Sequence, residues 1–247
     1  MVLSVNQSLY QSLPTAAELP CSDDTPVDNE DQNLLPNLLL MLLAEIWGDR
    51  LDWYFGADMA IYHTTGISHA VPVVPDGFLS IGVERKKDGK SRRSYVMWEE
   101  QEIPPIFVLE MVSHTPGDEY TKKLEIYARL GVQYYLIYNP EFWQRDRHQP
   151  FEIYKLEAGS YHLQIGEPYW MPEAGLGIGR YQGMIGGIQQ EILTWYDAKG
   201  NRHLSDAERE RQRADLESQR ADQERQARER LEAYLRSQGI DPNQLPE

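Results

Sequence analysis

Cysteine occurs once in the 247 residues. A single thiol, Cys21, can form neither an internal disulfide nor a cysteine-based zinc site, so a reducing, cytoplasmic setting is expected. Long apolar runs are also missing. The richest stretch, Leu34 to Leu43, is interrupted by Pro36 and Asn37 and falls short of the roughly 20 residues that span a bilayer. The first residues, Met1-Val2-Leu3-Ser4, lack the basic-then-apolar order of a secretory leader. Both absences point to a soluble protein with no membrane partner. Positive charge is scarce: 24 Lys and Arg stand against 39 Asp and Glu, for a net charge of −15. Nucleic-acid affinity comes largely from neutralising phosphates, so the chain as a whole is a poor generic DNA binder. The six histidines show no paired zinc spacing, and neither a Gly-x-Ser-x-Gly elbow nor a Walker loop occurs. Gly175-Leu176-Gly177-Ile178-Gly179 is followed by no clear phosphate-binding helix and reads as a turn.

What is present suits a globular domain: 41% hydrophobic residues, six tryptophans and fifteen tyrosines. Residues 1–27 are polar, acidic and without period, the pattern of a flexible or loosely packed arm. A domain is expected over 28–203. It opens with a helix from about Asp28 to Trp47, which starts on capping and acidic residues and is apolar nearly all round. Strand signals follow at Leu51–Phe55, Asp58–His63, Phe78–Val83 and Ser94–Trp98, with Glu84–Arg93 as the turn of a long hairpin. Ile106–Val112 is apolar on both faces, as a central strand is. A helix over Asp118–Leu130, stopped by Gly131, leads to a strand at Tyr134–Tyr138, which is the length of a parallel crossover. A hairpin at 151–165 and a last strand at Ile192–Asp197 complete the domain. The tail, 204–247, reads as an exposed charged helix with ion pairs such as Glu210/Arg213 and Glu232/Arg236. Its weak heptad pattern leaves homodimerisation and docking of a protein partner open.

The charge distribution is uneven. Residues 1–50 carry eight acids and one base, whereas 51–100 carry seven acids and six bases. Among those bases, Lys86, Lys87, Lys90, Arg92 and Arg93 are candidates for phosphate contact. A solvated hairpin tip explains the same run equally well.

Glu110 is the residue that demands an explanation, because a carboxylate in an apolar strand must be protonated, paired or given a cation. It shares a strand face with Ile106, Val108 and Val112. On the next helix, Tyr120, Leu124, Tyr127 and Ala128 form the inward stripe at 100° per residue. Lys123 borders that stripe, while Lys122 lies nearly opposite, so Lys123 is the lysine able to reach Glu110. Asp76, in Pro75-Asp76-Gly77, suits either a metal site or a plain turn. An aspartate, a strand glutamate and a helix lysine are together the parts of a site for a divalent metal and a phosphodiester.

These segments resemble a known family. Pro75-Asp76, Phe107 to Ser113, Lys123-Leu124-Glu125-Ile126-Tyr127 and Leu130-Gly131-Val132-Gln133-Tyr134-Tyr135, in this order, are similar to the Uma-two family of the PD-(D/E)XK, or restriction-endonuclease-like, superfamily. The resemblance implies an α/β fold with a mixed sheet and a crossover helix, here followed by the charged C-terminal helix. It implies a Mg²⁺- or Mn²⁺-dependent endonuclease acting on DNA. Asp76, Glu110 and the Met111 carbonyl would hold the metal, Glu45 of the first helix would join them with Asp58 as alternate, and Lys123 would orient water or contact phosphate. In the plain motif the lysine stands two residues after the glutamate, where this chain has Val112; the lysine is displaced onto the helix. A catalytically idle member of the fold, binding partners through its charged tail, is the competing reading.

Overall fold

The computed structural model describes residues 13–21, 29–66, 68–115 and 117–239. Residues 1–203 form one unit and 204–247 another.

The first unit opens with helix α1 (Glu30–Ile46). Asn29 caps it by accepting the Gln32 N–H, and Glu30 and Asp31 place negative charge on its first turn. Strands β1 (Trp53–Ala57), β2 (Ile61–Tyr62), β3 (Gly77–Ile81), β4 (Tyr95–Val96) and β5 (Phe107–Met111) follow. Helix α2 (Lys122–Leu130) links β5 to β6 (Tyr134–Tyr138), and the short α3 (Trp143–Asp146) precedes β7 (Phe151–Glu157) and β8 (Ser160–Leu163). Strands β9 (Tyr169–Met171), β10 (Leu176–Ile185) and β11 (Ile188–Tyr196) end the unit.

Six strands make one mixed sheet in the order β1-β3-β5-β6-β7-β8. Only the β5–β6 pairing within it is parallel, as the crossover through α2 requires. Strand β5 is therefore central, with both faces covered. Its odd residues Phe107, Leu109 and Met111 pack with Leu35, Leu39 and Leu43 of α1 and with Trp195 of β11. The Trp195 indole N–H donates to the Leu39 carbonyl at 2.9 Å, tying the three-stranded β9–β10–β11 sheet to α1. On the other face Val108 and Val112 pack with Tyr127 and Leu130 of α2 and with Tyr135 and Ile137 of β6. Glu110 falls on this second face. Gly131, at φ 83°, ends α2 in the left-handed conformation that glycine adopts without strain.

Three expectations are corrected. Segment 84–93 is no long hairpin, because β3 pairs with β1 and β5 whereas β4 pairs in parallel with β2. Only a local turn survives there, with Lys87 bridged to Lys90 around Asp88 and Gly89 at positive φ. The glycines at 177 and 179 lie within strand β10 rather than in a turn: a Cβ on either would sit 3.0 Å from Tyr196 or Pro168. Part of the acidic N-terminal segment packs on the domain. Leu19 is buried with Ala60, Tyr62 and Val96, the Tyr62 hydroxyl donates to the Pro20 carbonyl, and the Trp98 indole donates to that of Pro14. One buried leucine and a few side-chain donors make these contacts, a signal that acidic composition hides. The rest of that arm, residues 1–12 and 22–27, lies outside the described residues.

The second unit holds helix α4 (Asp206–Ser237), capped by a reciprocal Ser205–Glu208 box. None of its residues is buried within the described structure, and pairs such as Arg213–Glu210 and Arg228–Glu232 decorate it. No described helix is long and apolar enough to cross a membrane.

Candidate active site

Strands β3 and β5 run antiparallel with Gly77 opposite Leu109. One step further along this register Asp76 faces Glu110, and opposed residues of an antiparallel pair share a face with Cβ atoms about 5 Å apart. The ladder stops at this point because the Asp76 side chain replaces a backbone partner: its Oδ2 accepts the Met111 N–H at 2.6 Å. Asp76 is thus drawn out of a simple turn and fixed at the C-terminal end of β5.

Glu110 is 1% exposed. Its two oxygens have different partners: Lys123 Nζ donates to Oε2 at 2.7 Å and the Tyr127 hydroxyl donates to Oε1 at 2.6 Å. Lysine and tyrosine stand four apart on α2, one turn, which brings both onto the same carboxylate. Lys123, at 26% side-chain exposure, is where this buried group meets solvent. Lys122 instead pairs with Asp118 at the surface.

The electrostatics follow from burial. Desolvation lifts the Asp76 carboxyl well above its ordinary 3.8, and the charge of Glu110 lifts it further, against the Met111 N–H and Lys123. Desolvation also raises Glu110, and Lys123 and Tyr127 only partly offset it. Burial pulls the Lys123 ammonium down, but Glu110, Glu119 and Asp76 together leave it raised, so it stays charged. Tyr127 is pushed well above 10 by burial and by Glu110, so its hydroxyl remains a donor. Asp76, Glu110 and Glu119 against Lys123 leave the site two negative charges in excess when all are ionised.

Glu45 does not belong to this site. The α1 residue that reaches it is Gln32, whose Nε2 lies 3.4 Å from the Met111 carbonyl oxygen. Glu45 is thirteen residues, about 20 Å, further along the helix and exposed. Its alternate, Asp58, does lie beside Asp76: the Asp58 N–H donates to the Asp76 carbonyl, and its charge adds to the rise of the Asp76 pKa. Among the described residues no three His, Cys, Asp or Glu side chains converge as a metal-binding group. Two carboxylates and a backbone carbonyl are the available donors. That set fits Mg²⁺, which is commonly held by one or two carboxylates and keeps several waters.

The basic run is not assembled at this site. Residues 82–93 leave β3 at the end opposite Asp76, a strand length of about 17 Å away. Arg92 is spent internally: its side chain is 2% exposed, bonded bidentately to Glu100 and laid over the Tyr54 ring. Lys87 pairs with Glu99, Lys86 donates to Ser91, and Arg93 donates to the Ala17 carbonyl. Lys90 is exposed on the local turn. At the edge of the sheet where the site lies, the chain leaving β6 supplies other groups. Arg145 donates to the His114 carbonyl at 2.7 Å, just beyond β5. Asn139, fully buried, bonds the Tyr120 hydroxyl and Asp146. The His148 ring stacks on Tyr120 at 3.6 Å and contacts Glu152. Tyr127, Glu119 and Gln32 are site residues that sequence reasoning missed. Tyr127 reads as core from its helical stripe, and only the phase it shares with Lys123 signals its role.

A buried glutamate on a central strand, a cross-strand aspartate and a crossover-helix lysine thus meet at one end of β5. The family model described as "Putative restriction endonuclease" (Uma2) matches residues 24–180, and the chain belongs to this family. Among solved structures, the chain is similar to a "putative nuclease" from Anabaena variabilis, at 13% identity over 65% of this chain and 89% of that one, with a TM-score of 0.44. No curated protein matches.

Proposed function

We propose that this chain hydrolyses DNA phosphodiester bonds with Mg²⁺ or Mn²⁺ held by Asp76, Glu110 and the Met111 carbonyl. The observation that carries this reading is the meeting of Asp76 and Glu110 at the end of β5, with Lys123 on the same carboxylate. Two acids whose pKa values are raised by burial, that of Asp76 also by the Glu110 charge, are groups that a cation would stabilise in their ionised form. A bound Mg²⁺ supplies Lewis acidity at the phosphate and a lowered water pKa. The protein's own contributions are positional. The Asp76–Met111 bond and the Tyr127 hydroxyl set the directions of the two carboxylates. Lys123 is kept protonated, so it acts as a charge and a donor toward a phosphate oxygen or the attacking water, and not as a base. The substrate backbone would meet Arg145 and His148 at this edge, in place of the run at 86–93.

Plasmid and single-stranded DNA incubated with the protein and Mg²⁺ or Mn²⁺ test the proposal. Metal-dependent nicking that vanishes in Glu110→Gln is expected; nicking that survives the substitution overturns the site. The idle-fold reading is favoured by one observation: Glu110 already has both oxygens satisfied by Lys123 and Tyr127. It predicts no cleavage and no metal binding by the wild type.

A further inference from the structure

Glu119 has no part in the chemistry above, yet its side chain is nearly as hidden as that of Glu110, with 7% of the residue exposed. One of its oxygens lies 3.9 Å from Lys123 Nζ, too far for a hydrogen bond, while the same ammonium sits 2.7 Å from Glu110. A single ammonium therefore stands between two carboxylates and bonds one. The second position is built with some care. A Cβ at residue 117 would lie 2.2 Å from Glu119 Oε1, so glycine there keeps room for the carboxylate. The buried Tyr135 hydroxyl fixes the Glu119 backbone by donating to its carbonyl at 2.8 Å. The Lys123 N–H is held by the Asp118 carbonyl, so the lysine backbone is fixed and its long side chain is the part able to move.

We propose that Glu119 is a positioning residue that provides a second seat for Lys123. When a divalent cation takes Glu110, the ammonium shifts by roughly 1 Å to bond Glu119. It remains at the site without competing for Glu110. Charge balance favours this arrangement: Asp76 and Glu110 match one divalent cation, and Glu119 matches Lys123. Without Glu119, a cation at Glu110 would face an unpaired ammonium at close range. The inference rests on reading Asp76 and Glu110 as metal ligands.

Calorimetric titration of the full chain with Mn²⁺ tests it, using Glu119→Gln, Lys123→Met and the double variant. Wild type should bind one ion, and Glu119→Gln should bind it about tenfold more weakly, within the range of coupling between neighbouring charges. In the Lys123→Met background the Glu119→Gln change should matter less than about twofold. Gly117→Ala, which crowds the carboxylate from outside, should reproduce the loss if Glu119→Gln folds poorly. Equal affinity of Glu119→Gln and wild type overturns the inference and leaves the metal site standing. An equal loss in both backgrounds also overturns it, because Glu119 would then act on the ion directly. No Mn²⁺ binding by wild type overturns the metal reading and this inference with it.

Discussion

Lys123→Met removes the cation bonded to a carboxylate that is 1% exposed. Breaking a buried ion pair from one side costs about 3–5 kcal/mol, because the remaining charge is left in low dielectric. Lys123 is itself a quarter exposed, so solvent screening trims the expected loss to about 2–3 kcal/mol. Tyr127 still donates to Glu110, which keeps the residue from being wholly unsatisfied. Glu110 can also escape by taking up a proton, which makes the loss pH-dependent with a definite sign. Its folded pKa already lies above the ordinary 4.5, and losing Lys123 raises it further. Between these two values the native state holds a proton that the unfolded state has released, so stability falls as pH rises through the folded pKa. The variant's deficit should therefore be small near pH 4.5 and larger at about pH 8. Thermal or urea unfolding at both pH values measures it. At 2–4 °C per kcal/mol for a domain of this size, a Tm loss of about 5–10 °C is expected at the higher pH. Equal losses at both pH values, or none at about pH 8, would refute the account of Glu110 as a buried charge held by Lys123.

Asp76 gives wild type a similar trend: its raised folded pKa makes stability fall as pH climbs from about 3.8, and Mg²⁺ should restore more stability near neutral pH than in acid, as read by thermal shift with and without EDTA. Tyr127→Phe should cost about 1.5–3 kcal/mol by removing a donor to a charged acceptor; an unchanged urea midpoint would show that the hydroxyl does not hold Glu110. Arg92→Ala should cost about 3 kcal/mol despite lying in the basic run, because it removes both hydrogen bonds to buried Glu100 and leaves it only Lys87 at 3.7 Å, whereas Lys90→Ala should change stability by less than about 0.5 kcal/mol. Charge reversal at Lys86 and Lys90 should leave DNA affinity within about twofold of wild type by fluorescence anisotropy; a larger loss would return the basic run to the interface.

The central parts of the site were legible because each obeyed a local rule. Alternation put Glu110 on the face with Val108 and Val112, and the 100° helical step chose Lys123 over Lys122, as the 2.7 Å bond shows. The crossover from β5 through α2 to β6 followed from strand length and the Gly131 stop. Partners set by long-range pairing were not legible. Which strand lies beside β3 decides where residues 84–93 emerge, and no local pattern reports that β4 joins β2. Glu45 and Gln32 lie on one helix, and choosing between them requires knowing which end of α1 meets β5. Arg92 and Lys86 look alike as a charge run, and only tertiary packing separates the buried one from the exposed one.

The most direct test of the central claim is a crystal of the protein grown or soaked with Mn²⁺ and measured for anomalous scattering. A single peak about 2.0–2.2 Å from oxygens of both Asp76 and Glu110 is predicted, with the Met111 carbonyl in the same coordination sphere. A structure whose Asp76 and Glu110 carboxylates share no peak, with Lys123 still bonded to Glu110 at saturating Mn²⁺, would contradict it.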